Sequence, residues 1–134
     1  NPRLLPPSQK EELRVRVRIA PAGLPFDMRL SMQDGAARLM LAGNLDESAV
    51  LPFRQELDRV IAAQPKQLVL LTEDLQSLSK ECGRVLVFVQ NRLGLDTDIY
   101  VVAANDEVRG VLSDLELLDD VTLLDSADAV PPTA

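Results

Sequence analysis

The sequence contains no histidine, no tryptophan, one tyrosine and one cysteine. Without histidine, a serine or cysteine nucleophile has no imidazole base beside it, and the commonest metal ligand is missing. Neither the Walker-type nor the dinucleotide-binding glycine motif occurs, so no phosphate-binding loop is predicted. Cys82 has no partner for an intramolecular disulfide, which fits a reducing compartment. These absences predict a cytoplasmic protein without enzyme activity, cofactor or metal.

Long apolar runs are also absent. No segment approaches the roughly 20 apolar residues that cross a bilayer, and residues 1–12 lack the apolar region of a signal peptide. A length of 134 residues corresponds to one domain with one core. The sequence therefore predicts a single domain without membrane insertion.

Charge is distributed unevenly along the chain. Residues 1–18 carry a net charge of +3, and residues 96–128 carry −9, with Arg109 as their one basic side chain. A surface of this kind repels phosphates, which argues against a nucleic-acid partner. Two interpretations stay open: a solvated face that keeps the domain soluble, or a surface that meets a basic protein.

The amino-terminal region divides into two parts. Residues 1–12 are proline-rich and polar, and predict a tail or linker. Residues 13–25 predict an extra strand and a loop, in which apolar residues alternate with Arg14, Arg16 and Arg18. The three arginines either discourage pairing at a sheet edge or form an oligomer edge that meets the acidic region of a second copy.

A hairpin is predicted next. Apolar side chains alternate with polar ones over residues 26–32, and a second apolar strand is expected at 38–42. Asp34 and Gly35 between them form the dipeptide most typical of a tight hairpin turn. The two strands are therefore expected to pair antiparallel.

A turn and an amphipathic helix follow the second strand. Gly43 and Asn44 are expected to break the strand, and the acidic and hydroxyl side chains at 46–48 suit the free N–H groups at a helix start. One apolar stripe then recurs at helical spacing. Its members are Val50, Phe53, Leu57, Val60 and Ile61.

Strands and helices alternate in the rest of the chain. Internal strands are predicted at 68–71 and 99–104, and a last strand at 121–124. Residues 72–80 are interpreted as a polar connection. Two more helices are expected: one with apolar residues at 85–93 that ends at Gly94, and one capped by Asn105 or Asp106.

Gly110 lies within the second of these helices, where close packing or fraying is expected. The fold class is therefore α/β: a single mixed sheet with an amino-terminal antiparallel hairpin, a mainly parallel remainder and about three helices.

Two segments of this pattern resemble the STAS family, the sulfate-transporter and anti-sigma-factor-antagonist domains. LAGNLDESAV is similar to the family's first block, in which a strand is followed by Gly, Leu or Phe, Asp and a helix. NDEVRGVLSDLELLDDVTLLDS is similar to its closing helix and strand. The resemblance covers residues 26–128 and leaves 129–134 as a carboxyl-terminal tail.

The strand at 68–71 and the segment 79–88 occupy the place of the family's middle block, and this block departs from the family pattern. Antagonist members carry an Asp-Ser-Ser/Thr-Gly-Leu sequence there, and a partner kinase phosphorylates its hydroxyl. Alignment on Gly83 puts Cys82 at the acceptor position, whereas alignment on 84–86 puts Glu81 there and Ser79 at the family's Asp. Neither register leaves a hydroxyl at the acceptor. Ser77 and Ser79 lie nearby as weaker candidates.

The resemblance implies a non-catalytic module that binds a protein partner, an anti-sigma, serine-kinase-like protein or another regulatory protein, with an altered or lost phosphorylation switch. The 44–48 turn and the start of the second helix should lie side by side, because both follow parallel strands. The implied contact residues are Asn44, Asp46, Ser48, Ser79, Glu81 and Cys82.

Other interpretations remain open. Glu81 is also a favourable first-turn residue of any helix, and Cys82 is either a packing residue or a redox sensor whose pKa the helix start lowers. A regulatory or assembly domain of a larger transporter or scaffold is an alternative function, since the chain begins at Asn1 with a proline-rich segment. Homo-oligomerisation through the arginine strand is a third.

Overall fold

Five strands and three helices make up residues 25–133, the part of the chain that the computed structural model describes. The strands are β1 (Phe26–Gln33), β2 (Ala36–Leu45), β3 (Gln67–Leu78), β4 (Asp98–Val102) and β5 (Thr122–Leu124). The helices are α1 (Val50–Ala63), α2 (Lys80–Leu93) and α3 (Asp106–Asp114), with 3-10 turns at Glu47–Ala49, Gly94–Asp96 and Ala127–Ala129. The predicted tail at 1–12 and the arginine strand within 13–25 lie outside the described residues, apart from Pro25.

The strands form one mixed sheet in the order β1-β2-β3-β4-β5. β1 and β2 pair antiparallel, and all other pairs are parallel. Asp34 and Gly35 both have positive φ, 55° and 84°, as the predicted tight hairpin turn requires. The predicted fold class is confirmed, including the hairpin, the parallel remainder and the three helices.

β2 and β3 are longer than the sequence predicts. β2 continues through Gly43 and Asn44, the residues expected to break it, and ends at Leu45. β3 continues to Leu78, so the interpretation of 72–80 as a polar connection is wrong for most of its length. The two extensions pair with each other, and β2 and β3 therefore end side by side, at Leu45 and Leu78.

Irregular pairing between β2 and β3 explains why the alternation of apolar and polar residues did not predict these extensions. From Met40 to Ala42 β2 advances by two residues, while its partner β3 advances by three, from Leu71 to Asp74. Such bulges interrupt the alternation of inward and outward side chains. A second shift follows directly after Gly43, whose φ of 82° is a conformation that glycine adopts readily.

The helices pack on one face of the sheet. Phe53, Leu57 and Val60 of α1 are fully buried, as the predicted stripe requires. They join one core with sheet residues such as Leu39 and Leu70. By transfer free energy each of these large apolar side chains contributes about 1.5–3 kcal/mol on burial. Within residues 25–133, no helix has the length and apolar character needed to cross a membrane.

Helix ends follow the predicted chemistry. Asn105 caps α3, its Oδ1 accepting from Val108 N–H at 2.8 Å, and Gly94 with φ 68° ends α2. Gly110 has open space around it, so the structure contradicts close packing, one of the two alternatives predicted for this residue. β4 ends at Val102, two residues before the predicted end of that strand.

Candidate functional site

The carboxyl ends of β2 and β3 lie side by side, as the parallel-strand argument predicts. Ser79 N–H donates to the Leu45 carbonyl oxygen at 2.8 Å, which joins the two chains just beyond the strands. Ser77 Oγ donates to Asn44 Oδ1 at 2.7 Å, a hydrogen bond for which the sequence contains no signal. The turn after β2 and the start of α2 therefore form one continuous surface.

The turn after β2 is organised by Asp46. Its Oδ1 accepts from Ser48 N–H at 2.9 Å and from Ser48 Oγ at 2.5 Å, while its carbonyl accepts from Ala49 N–H at 3.0 Å. A carboxylate that caps the first turn satisfies N–H groups that have no partner inside the helix. Asp46, Glu47 and Ser48 stay exposed, so this cap leaves a negatively charged rim.

The start of α2 is organised by Ser79. Its hydroxyl accepts from Cys82 N–H at 3.1 Å, and its carbonyl accepts from Gly83 N–H at 2.9 Å. Glu81 lies in the first turn with its side chain exposed, where the positive end of the helix dipole favours a carboxylate. Glu81 is thus an accessible carboxylate that the dipole of its own helix stabilises.

The Cys82 side chain lies in the core rather than at the surface. Its side chain is fully buried, and its thiol donates to the Asp46 carbonyl oxygen at 3.5 Å. Burial raises the pKa of Cys82 above its ordinary value; the Ser79 hydrogen bond opposes this, and the charges of Asp46 and Glu81 add to it. The redox-sensor interpretation with a lowered pKa is therefore wrong. Cys82 also offers a partner no surface of its own.

Two glycines that the sequence did not assign to the site allow its close packing. A Cβ on Gly43 would collide with the Pro25 carbonyl oxygen. A Cβ on Gly83 would overlap Leu115, because α2 crosses α3 at this residue. Both glycines lie near the start of a helix in the sequence, and this position is the one local signal for them. The residues that would collide with a Cβ there lie in segments distant along the chain.

The assembled surface carries acidic side chains beside hydrogen-bonded serine hydroxyls. Asp46, Glu47 and Glu81 are exposed, and the neighbouring hydroxyls of Ser77 and Ser79 are engaged in hydrogen bonds. Among the described residues, no three side chains of the metal-ligating types come together to hold an ion. Such a rim can recognise a protein by charge and shape.

Comparisons with known proteins place this arrangement in a recognised fold. No protein-family model and no curated sequence matches the chain. Solved structures do match it, beginning with an anti-sigma factor antagonist from Mycobacterium paratuberculosis, which has a TM-score of 0.69 and 21% identity and covers 77% of this chain and 88% of its own.

Two other matches have related names. SpoIIAA in its unphosphorylated form has a TM-score of 0.64 and 16% identity, and covers 77% of this chain and 92% of its own. A serine-to-glutamate variant of RsbS from Moorella thermoacetica has a TM-score of 0.58 and 23% identity, and covers 74% of this chain and 87% of its own. The described chain therefore has the STAS fold, and the resemblance inferred from the sequence is confirmed as a likeness of fold.

Proposed function

We propose that the chain is a non-catalytic protein-binding module of the anti-sigma-factor-antagonist type. Its partner is a serine-kinase-like anti-sigma protein or another regulatory protein. The observation that carries this proposal is the junction of the turn after β2 with the start of α2, joined by the bond from Ser79 N–H to the Leu45 carbonyl. The fold shared with anti-sigma factor antagonists supports it.

The docking surface consists of the members of the predicted contact set that are exposed or half-buried. Asp46 and Ser48 supply one side, and Glu81 supplies the other, with Asn44 and Ser79 between them. Because local hydrogen bonds already fix the turns, little conformational entropy is lost when a partner binds. Cys82 supports this surface from below rather than touching the partner.

The solvent exposure of the side chains favours one of the two alignments with the family's middle block, on Gly83 or on residues 84–86. A kinase reaches a side chain only at the surface, and in the first turn of α2 Glu81 is exposed whereas Cys82 is buried. We therefore place Glu81 at the acceptor position and Ser79 in the place of the family's Asp. In this register the acceptor hydroxyl is replaced by a carboxylate.

The replacement of the acceptor hydroxyl by the Glu81 carboxylate alters the phosphorylation switch. A phosphoryl group adds about −1.5 to −2 charges and is removable, whereas Glu81 carries a permanent single charge. Transfer to Ser77 instead would break the bond in which its hydroxyl donates to Asn44 Oδ1, and the Ser79 hydroxyl is half-buried and already accepts from Cys82 N–H. Binding through this surface is therefore constitutive.

Affinity capture from the native host tests the proposal. The wild type and two variants, Glu81→Lys and Glu107→Lys, serve as baits, and recovered proteins are identified by mass spectrometry. Glu107 is the matched control because it occupies the corresponding first-turn position of α3 and is also exposed. We expect a kinase-like anti-sigma protein on the wild type and on Glu107→Lys, and its loss on Glu81→Lys.

Other results of the capture contradict the proposal. A partner retained equally by all three baits would mean that the 79–82 turn is not the docking surface. Recovery of a membrane transporter or a scaffold instead would favour a regulatory or assembly role within a larger protein.

A further inference from the structure

Phe88 differs from the other two phenylalanines of the chain. Phe26 and Phe53 are buried in the core, whereas Phe88 is only partly buried on the outer surface of α2 beside α1. The guanidinium carbon of Arg54 lies 4.4 Å from its ring centroid, and that of Arg92 lies 5.6 Å from it. Two cations therefore face one partly exposed ring.

The same surface extends toward the amino ends of both helices. Leu51, one turn before Arg54 on α1, is 65% exposed, and Arg84, one turn before Phe88 on α2, is exposed. Among the described residues, Arg84 and Arg92 form no ion pair, while Arg54 approaches Asp58 at 3.7 Å. We name this surface the arginine strip and define it as Leu51, Arg54, Arg84, Phe88 and Arg92.

A second surface has the same construction with the opposite charge. Leu95 is completely exposed at the end of α2, and Leu118 is 37% exposed in the loop after α3. Leu95, Asp119 and Asp120 line one shallow depression. We name this surface the acidic knob and define it as Leu95, Glu116, Leu118, Asp119 and Asp120.

Exposed apolar side chains are concentrated in these two surfaces. The described residues expose four large apolar side chains, and three of them, Leu51, Leu95 and Leu118, belong to the strip or the knob. Apolar centres flanked by arginine are typical of interface hot spots. The strip carries three positive charges and the knob three negative ones.

We propose that the arginine strip of one copy binds the acidic knob of a second copy. The guanidinium groups would meet the carboxylates while Leu95 and Leu118 cover Phe88 and Leu51. Leu95 directly follows the last turn of α2, so the knob cannot fold back onto the strip of its own chain without unwinding that turn. The contact closes into a two-fold dimer if it forms twice between the same two chains, and otherwise it extends into a ring or a filament.

Sedimentation velocity with paired variants tests the contact. We expect the wild-type mass to rise above that of one chain with increasing concentration and to fall in about 1 M salt, where the Debye length is about 3 Å. The variants Arg84→Glu/Arg92→Glu and Asp119→Arg/Asp120→Arg should each be monomeric. Their equimolar mixture should associate again, because the intact knob of the first variant complements the intact strip of the second, and the two charge-reversed surfaces also carry opposite charges.

Controls separate the local contact from net charge. Arg38→Glu/Arg59→Glu and Glu73→Arg/Glu107→Arg change the net charge by the same amounts at exposed residues outside the strip and the knob. Both should associate like the wild type, and circular dichroism verifies that every variant is folded.

Three results would overturn the proposal. These are a wild type that stays monomeric at all concentrations, a mixture in which both variants remain monomeric, and an association abolished only by substitution of Arg14, Arg16 and Arg18. The last result would assign association to the arginine strand predicted from the sequence.

Discussion

The two ends of the sheet use polar side chains differently. At the carboxyl ends of β2 and β3, the exposed Asp46 and the half-buried Ser79 accept from N–H groups two or three residues away. At the amino ends of β3 and β4, two polar side chains, Gln67 and Thr97, are buried. Gln67 donates to the Pro131 carbonyl at 2.6 Å, and Thr97 donates to the Pro65 carbonyl at 2.7 Å.

The difference separates the proposed binding end of the sheet from a structural end. The buried Gln67 and Thr97 at the amino ends each donate to a carbonyl oxygen within the chain, as buried polar groups require. The caps at the carboxyl ends fix the turns and yet leave carboxylates in solvent. Substitutions at the amino ends should therefore change stability alone, whereas exposed residues at the carboxyl ends should change binding alone.

The largest effect is expected where a binding turn depends on a close backbone approach. Gly43→Ala forces a side chain into the positive-φ region and into the Pro25 carbonyl, so we expect a loss of about 2–4 kcal/mol in the free energy of unfolding. Urea denaturation of the wild type and the variant measures this loss.

Gly35→Ala is the matched control for this substitution. Gly35 also has positive φ, but no atom lies closer than 4.0 Å to the added Cβ, so only strain of about 1–2 kcal/mol is expected. Equal losses for the two variants would mean that the collision with Pro25 does not matter.

Thr97→Val removes a buried hydroxyl from the structural end. The Pro65 carbonyl then loses its donor, and we expect a loss of about 1–3 kcal/mol in unfolding free energy with partner affinity unchanged. Thr97→Ser retains the hydroxyl and should lose less. Weakened partner binding by a folded Thr97→Val protein would contradict the division between the two ends.

The pH dependence of stability tests the burial of Cys82. Its pKa is raised above the ordinary value of 9.0, chiefly by burial, so its contribution is fully present below pH 9 and is lost as the pH rises through the folded-state pKa. The loss amounts to at most about 1.4 kcal/mol per pH unit.

Denaturation of wild type and Cys82→Ala at several pH values measures this contribution. We expect the difference between them to be constant below pH 9 and to shrink above it. A difference that grows with pH would mean that the folded state favours the thiolate.

The sequence predicted the order of elements because apolar periodicity and turn residues are local signals. The stripe of α1, the Asp34-Gly35 turn and the cap at Asn105 are each specified within a few residues. The adjacency of the two turns also followed, since it needs only parallel strands that end together.

Features that depend on distant segments were not predictable. β3 continues past Thr72 because its bulged end pairs with β2, and the Thr72 hydroxyl donates to the Val102 carbonyl at 2.7 Å. The raised pKa of Cys82 follows from burial beneath Asp46, which no local pattern encodes. Gly83 resembles an ordinary helix residue until Leu115 of the following segment is placed against it.

The most direct measurement is isothermal titration of the purified partner with wild type, Glu81→Lys and Glu107→Lys. Both variants should retain stability within about 1 kcal/mol, because each exposed carboxylate contributes only through the helix dipole. We expect Glu81→Lys to raise Kd by at least about tenfold, equivalent to 1.4 kcal/mol, and Glu107→Lys to leave it unchanged. Equal Kd values for all three proteins would contradict the assignment of the carboxyl ends of β2 and β3 as the binding surface.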